Sequence, residues 1–212
     1  MSVGMILLLV TALLVIFGVG QRVLDRMHMS DRAALFAMAA IFIGGLIPDI
    51  TLGPVQFNIG GAMIPFIICV WVLAKADSSA DVWRGLIGSV LTAGAIYGLD
   101  KLLPAAPDRI MIDPNYLYGI SAGVIAYILG RSRRGAFVSA ILGLLLADTF
   151  IGIMNRVQGI NQVIRLGTGG MLDAIVISGL LAVLLAELVG EALERINRGR
   201  ADRSEDRDRG RA

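Results

Sequence analysis

The chain has 212 residues, of which 56% are hydrophobic and only 17% are charged, and its formal net charge at pH 7 is +2. So few charged residues cannot cover the surface of an ordinary soluble domain, which excludes that class and predicts an integral membrane protein. Such a small net charge gives no indication of nucleic-acid binding. We therefore expect an all-α fold, a polytopic bundle of transmembrane helices whose main partner is the lipid bilayer.

Seven apolar runs follow one another along the chain, and they predict about seven spans. The runs cover residues 3–20, 33–47, 59–74, 85–99, 115–130, 135–154 and 171–190. A spanning helix needs about 20 apolar residues, within a range of roughly 17–25. Several runs are shorter, so their helices must include polar or glycine-containing flanks or be broken. Breaks are expected first in the second and third runs, because Pro48, Pro54 and Pro65 lie in or beside them.

The basic residues between the runs predict the orientation. The odd-numbered loops carry eight lysines and arginines, the even-numbered loops carry four, and seven arginines after residue 194 fall on the side of the eight. Because basic residues concentrate on the cytoplasmic side, the N-terminus is predicted outside the cell and the C-terminus in the cytoplasm. The predicted location is the cell membrane.

The chain is expected to divide into a transmembrane helical domain, residues 1–194, and a short tail. In the tail, residues 195–212, seven arginines alternate with four acids and there is nothing to bury, so a disordered cytoplasmic segment is predicted. The first run is interpreted as a retained span, because no basic residue precedes it and Arg22 and Arg26 follow it, the reverse of a signal peptide. Cys69 is the only cysteine, so no intramolecular disulfide can form.

Two intramembrane acids are the first candidates for a functional site. Asp148 lies thirteen residues into the sixth run, which places it roughly 20 Å across a hydrocarbon core about 30 Å thick. Asp173 lies about 3 Å inside the outer edge, so both acids share the outer half of the membrane on consecutive helices. An acid at the centre of a span costs about 2.5–3.5 kcal/mol, which favours a functional role for Asp148. For Asp173, stabilisation by the helix dipole is an equally good explanation.

Further polar residues are predicted on the same outer face. Asp49, Asn58 and Asp100 lie at the outer ends of their runs, although Asp49 and Asp100 are also typical of ordinary interfacial acids. Two glycine clusters, residues 58–63 and 167–173, lead into helix starts there. Their backbone N–H groups could be open to a polar ligand, with close helix packing or a plain loop as the alternative. The candidate ligand-binding residues are therefore Asp148, Asp173, Asn58, Gly60, Gly61, Gly169 and Gly170.

Other kinds of site find little support in the sequence. It contains no His and Cys set at zinc spacing, no Walker glycine loop and no credible Ser–His–Asp arrangement. No catalytic residue is assigned, the metal is undetermined, and no cofactor is expected other than a bound cation.

Three segments carry a resemblance to a known family. Residues 57–65, residues 141–148 and residues 169–175 with Ser178 and Gly179 resemble an uncharacterised archaeal and bacterial multi-pass group, the domain of unknown function sixteen-fourteen. The resemblance covers roughly residues 58 to 187, without the first run and the tail. It implies a membrane protein and draws attention to Asn58, Asp148 and Asp173, but it implies no mechanism.

Three kinds of function remain open. The first is a binding or transport protein that holds a cation, a proton or a small polar solute at an outward-facing site, with a homodimer as the working unit. The enzyme alternative is an intramembrane aspartyl protease, in which two carboxylates share a proton. Against it, the Gly-x-Gly-Asp motif of such proteases is absent, because the sequence before Asp148 is Leu145-Leu146-Ala147. The third is a non-catalytic scaffold or regulator.

Overall fold

The structure, a computed structural model, describes residues 31–102, 114–130, 133–168, 173–186 and 189. The first apolar run, the charged tail and its predicted boundary at residue 194 lie outside these residues. The described part is mostly helical and holds six α-helices: α1 (Asp31–Gly45), α2 (Ile64–Ala74), α3 (Ser79–Leu102), α4 (Pro114–Gly130), α5 (Arg133–Val157) and α6 (Ala174–Ala186). Each corresponds to one of the predicted runs.

The start of α2 shows why the third run is helical in spite of its proline. A π-helical turn, Ile59–Met63, precedes α2, and Pro65 lies in the first turn of the α-helix. Ile64, the first residue of α2, donates its N–H to the Ile59 carbonyl of the π-helical turn. Proline is well tolerated in the first turn of an α-helix, because its fixed φ suits the helix there. The predicted break is therefore a change of helix type at Ile64.

Helices α3 and α5 pack against each other over much of their length, and they run in the same direction. Gly85 near the start of α3 faces Val138 near the start of α5. Further along, the rings of Tyr97 and Phe150 pack edge to face at 5.0 Å between centroids. Since α4 lies between them in the chain, it returns in the opposite direction.

Helix α6 runs parallel to α4 and antiparallel to α5. Gly119 of α4 lies against Ala174, and Gly123, one turn later, lies against Ser178. Gly179 packs against Ile141 of α5. These glycines allow the backbones to approach closely, as small residues commonly do between membrane helices.

Three short strands, which the sequence analysis did not predict, lie at one end of the bundle. They are β1 (Ile50–Leu52), β2 (Val55–Phe57) and β3 (Ile164–Leu166), in the order β1-β2-β3. β1 and β2 form an antiparallel hairpin with Gly53 at φ 57° in its turn. β2 and β3 pair in parallel, so the loop after α5 is joined to the segment between α1 and α2. We call this end of the bundle the sheet end.

The opposite end, which we call the arginine end, is marked by an ion pair. Arg134 at the start of α5 is only 8% exposed. Its Nη1 donates to Asp77 Oδ2 at 2.8 Å and to the Lys75 carbonyl at 3.3 Å, just beyond the end of α2. The buried guanidinium therefore connects the end of α2 to the start of α5.

Two of the described helices, Ser79–Leu102 and Arg134–Val157, are long and apolar enough to cross a membrane. The other four are shorter. Large apolar side chains are exposed on both long and short helices. On α3, Trp83 is 63% exposed and Val90 64%, and on α2, Phe66 is 49% exposed. The prediction of a helical membrane protein therefore agrees with these two helices.

Candidate functional site

The side chain of Asn58 makes four hydrogen bonds at the sheet end. It is 3% exposed and immediately precedes the π-helical turn. Its Oδ1 accepts from the backbone N–H groups of Gly60 at 2.9 Å and Gly61 at 3.0 Å. Its Nδ2 donates to the Ile47 carbonyl at 3.0 Å and to Asp49 Oδ1 at 2.9 Å. Both amide protons and both acceptor positions are thus used within the chain.

The backbone of Asn58 is held as well. Its N–H donates to the Leu166 carbonyl at 3.0 Å, which extends the pairing of β2 with β3. Its carbonyl accepts from Ala62 at 3.1 Å and Met63 at 3.3 Å, which closes the π-helical turn. Asn58 therefore fixes the hairpin, the start of α2 and the loop after α5 to one another.

The two glycine clusters of the sequence analysis meet at this point. Gly60 lies against the backbone of Gly44 and Gly45 at the end of α1. Gly167, at φ 64°, lies against the backbone between Gly61 and Ala62. The close approach explains these glycines, because a side chain on Gly60 or Gly167 would collide with backbone. Gly169 and Gly170, the predicted ligand-binding residues of the second cluster, lie outside the described residues.

Asp173 is buried at the start of α6. Asp173 is 6% exposed, and its Oδ1 accepts a hydrogen bond from the backbone N–H of Ile175 at 3.0 Å. Such a bond satisfies one of the free N–H groups of a helix start. One carboxylate oxygen of Asp173 therefore caps the start of α6.

Asp148 lies on α5 in a different environment. It is partly buried, and its carboxylate makes no hydrogen bond or ion pair with any residue that the structure describes. It is close enough to the carboxylates of Asp173 and Asp100 for its charge to interact with each of theirs. The sequence analysis placed Asp148 and Asp173 in the same half of the membrane, and in the structure their carboxylates are near enough to interact.

We call Asp100, Tyr118, Asp148 and Asp173 the carboxylate cluster. The hydroxyl of Tyr118, near the start of α4, donates to Asp100 Oδ1 at 2.9 Å and also lies near Asp148. The cluster thus joins the end of α3, the start of α4, α5 and the start of α6. Tyr118 was not among the predicted residues. The alternation of helix directions could have indicated it, because α3 ends and α4 starts at the same end.

A basic residue and two aromatic rings border the cluster. Lys101 Nζ lies 4.0 Å from Asp100 Oδ2 and 5.4 Å from the centroid of the Tyr97 ring, which packs against Phe150. Both partners are partly exposed, so this ion pair contributes little to stability. Within the residues that the structure describes, no three His, Cys, Asp or Glu side chains are grouped so that they could hold one metal ion together.

Comparison with known families gives one match. The model of the family described as "Protein of unknown function (DUF1614)" matches residues 24–185, which is most of the chain. The match begins earlier than the resemblance suggested, since it includes α1 and the hairpin as well as the later helices. Comparison with the curated proteins and with the solved structures finds no match.

Proposed function

The chain belongs to this family of proteins of unknown function, and we propose that it is a multi-pass protein of the cell membrane that binds or transports a proton, a cation or a small polar solute at the carboxylate cluster. One observation carries this proposal. Asp148 is partly buried on a helix long enough to cross a membrane, and it interacts with two other acids. Its carboxylate has no donor or basic partner among the described residues.

The carboxylate of Asp148 is repelled by those of Asp173 and Asp100. An ionised carboxylate is costly inside a membrane, and neighbouring like charges increase the cost. A bound proton or cation offsets both effects. Lys101 does not supply this charge to Asp148, since it lies beside Asp100 at the partly exposed end of α3. An exchangeable ion or a polar solute is therefore the simplest source of compensation.

The proposed placement in the membrane has seven spans, with the sheet end outside the cell and the arginine end in the cytoplasm. The alternating directions of α3, α4, α5 and α6 support it. Trp71 and Trp83 support it as well, because both are exposed near the arginine end, and tryptophan is enriched at membrane interfaces. A homodimer is proposed as the working unit, since seven spans are few for a carrier.

A ligand-dependent stability measurement tests the proposal. Wild type and the variants Asp148→Asn and Asp173→Asn are unfolded by heat in detergent, with Na⁺, K⁺, Li⁺, Mg²⁺ or Ca²⁺ added at several pH values. A ligand that binds only the folded state stabilises it by RT ln(1 + [L]/Kd). We expect one ion, or the proton, to stabilise the wild type and both variants to lose that response.

Asp81→Asn is the control, because Asp81 lies at the arginine end and its contacts with Ser78 and Arg84 are exposed. This variant should respond like the wild type. If neither pH nor any ion distinguishes the Asp148 and Asp173 variants from the control, the carboxylate cluster is not a proton or cation site.

An intramembrane aspartyl protease is the second candidate, and the interaction between Asp148 and Asp173 favours it. Both lie on consecutive helices, and a carboxylate pair that shares a proton can activate water. Incubation with a membrane-embedded peptide tests this function. Cleavage that is lost in both asparagine variants and kept in Asp81→Asn would establish it.

A further inference from the structure

Asp100 lies nearer to the sheet end than Asp148, and the packing of α3 against α5 shows by how much. Three contacts set the register of these parallel helices: Gly85 with Val138, Gly88 with Ser139, and Thr92 with Gly143. Residues in contact are thus 51 to 53 positions apart in the chain. The same register places Asp100 opposite residues 151–153, about one helical turn closer to the sheet end than Asp148.

Tyr118 starts at the level of the two deeper acids. Two contacts set this level: Gly119 with Ala174, where α4 and α6 run parallel, and Ile141 with Gly179, where α5 and α6 run antiparallel. One residue before the first contact, Tyr118 lies opposite Asp173. Six residues from the second contact, Asp173 lies opposite residue 147, beside Asp148. The charge of Asp148 interacts with both Tyr118 and Asp173, which agrees with this placement.

The side chain of Tyr118 connects the two levels. Side chains of a helix lean toward its N-terminus, and α4 starts at the sheet end, so the ring extends from the level of Asp148 toward Asp100. Its hydroxyl donates to Asp100 Oδ1 at 2.9 Å. The Asp100 side chain is 28% exposed. A series of groups that can exchange protons therefore leads from the partly buried Asp148 to the surface at the sheet end.

We propose that the ligand of the carboxylate cluster is a proton, and that it passes between Asp148 and the outer surface through Tyr118 and Asp100. The inference rests on the proposed function and selects one of its three kinds of ligand. Of these, only a proton can move through a hydroxyl, which accepts one proton as it gives up another.

Release consists of two linked proton movements. The carboxyl of protonated Asp148 donates its proton to the phenol oxygen of Tyr118 while the phenol proton moves to Asp100 along the existing hydrogen bond. Asp148 becomes a carboxylate, Tyr118 is again a phenol, and Asp100 becomes a carboxylic acid that releases its proton to water. Uptake runs in reverse.

The surrounding groups fit this transfer. Asp148 makes no hydrogen bond with any residue that the structure describes, so its carboxyl can turn toward Tyr118. Lys101, with Nζ 4.0 Å from Asp100 Oδ2, stabilises the carboxylate that Asp100 becomes after release. Asp173 repels the carboxylate of Asp148 and so favours the return of a proton.

Infrared spectroscopy of the full chain in detergent tests the proposal, with the pH lowered by a flash that releases a caged proton. A protonated carboxyl has its own C=O band, and the band that is lost in Asp148→Asn identifies Asp148. We expect Tyr118→Phe to slow the appearance of this band roughly a hundredfold, since a positioned proton-transfer group contributes about 10²–10⁴ in rate. Asp100→Asn should slow it similarly. The equilibrium pH midpoint of the band in Tyr118→Phe should change by less than about one unit, because the acid itself is kept.

Tyr97→Phe is the matched control. It removes the same hydroxyl from a tyrosine of α3 whose ring packs against Phe150 and whose hydroxyl has no hydrogen bond to the described residues. This variant should exchange protons as fast as the wild type. The route is refuted if Tyr118→Phe is as fast as Tyr97→Phe or faster, or if Asp100→Asn is not slowed. Either result leaves the Asp148 band, and with it the proposed site, intact. If no such band titrates in the wild type, Asp148 takes up no proton, and the proton is refuted as the ligand.

Discussion

Replacing Asn58 by alanine should cause a large loss of stability, because the amide makes four hydrogen bonds at once. The substitution removes the bonds to Ile47, Asp49, Gly60 and Gly61. A hydrogen bond contributes about 1 kcal/mol net, so the expected loss is about 4 kcal/mol. For a chain of this size, that corresponds to a decrease in Tm of roughly 8–16 °C.

Thermal unfolding in detergent measures this effect, with Gln56→Ala as the control. Gln56 makes a single side-chain bond, to Asp49 Oδ2 at 3.2 Å, so its loss should cost about 1 kcal/mol or less. Asn58→Asp keeps an acceptor for the glycine N–H groups but places a second carboxylate beside Asp49, and it should also be destabilised. If Asn58→Ala is no less stable than Gln56→Ala but loses a ligand response, Asn58 is a ligand and not a structural centre.

Three further substitutions test other parts of the structure by thermal unfolding. Asp148→Asn should raise the stability by about 1–2 kcal/mol, because it removes the charge that the carboxylates of Asp173 and Asp100 repel; an unchanged or lower Tm would contradict that repulsion. Gly167→Ala should cost clearly more than Gly53→Ala, since both have positive φ but only Gly167 faces backbone, and equal losses would refute the close approach. Thr92→Val should be neutral or stabilising, because the buried Thr92 hydroxyl has no partner in the described structure, whereas Ser89→Ala should cost about 1 kcal/mol through its bond to a backbone carbonyl.

The helices were largely predictable from the sequence, because hydrophobic runs of this length have few other structures. The sixth run, residues 135–154, corresponds to α5, which extends two or three residues further at each end. The second run, residues 33–47, corresponds to α1, which starts and ends two residues earlier. The ends differ because polar and glycine residues at a run's edge can continue the helix or leave it, depending on contacts elsewhere in the chain.

The sheet end could not be predicted in the same way. Strands of three residues are too short to show an alternating pattern, and β2 pairs with a strand that is distant in sequence. The polar residues Asn58, Asp148 and Asp173 were identifiable as unusual from their apolar surroundings. The sequence did not indicate that Asn58 uses its amide internally while Asp148 has no such bonds, because that difference depends on the hairpin and the π-helical turn.

The parallel pairing of β2 with β3 has a consequence for the order of folding. Val55 pairs with Ile164 and Phe57 with Leu166, so each pair joins positions 109 residues apart in the chain. Contacts of such long range form late, because the chain between them must first be arranged. During synthesis, α1 and the hairpin leave the ribosome well before β3 exists. The hydrogen bond from the Asn58 N–H to the Leu166 carbonyl can form only after β3 has been made. This end of the protein is therefore completed only after α3, α4 and α5 have assembled.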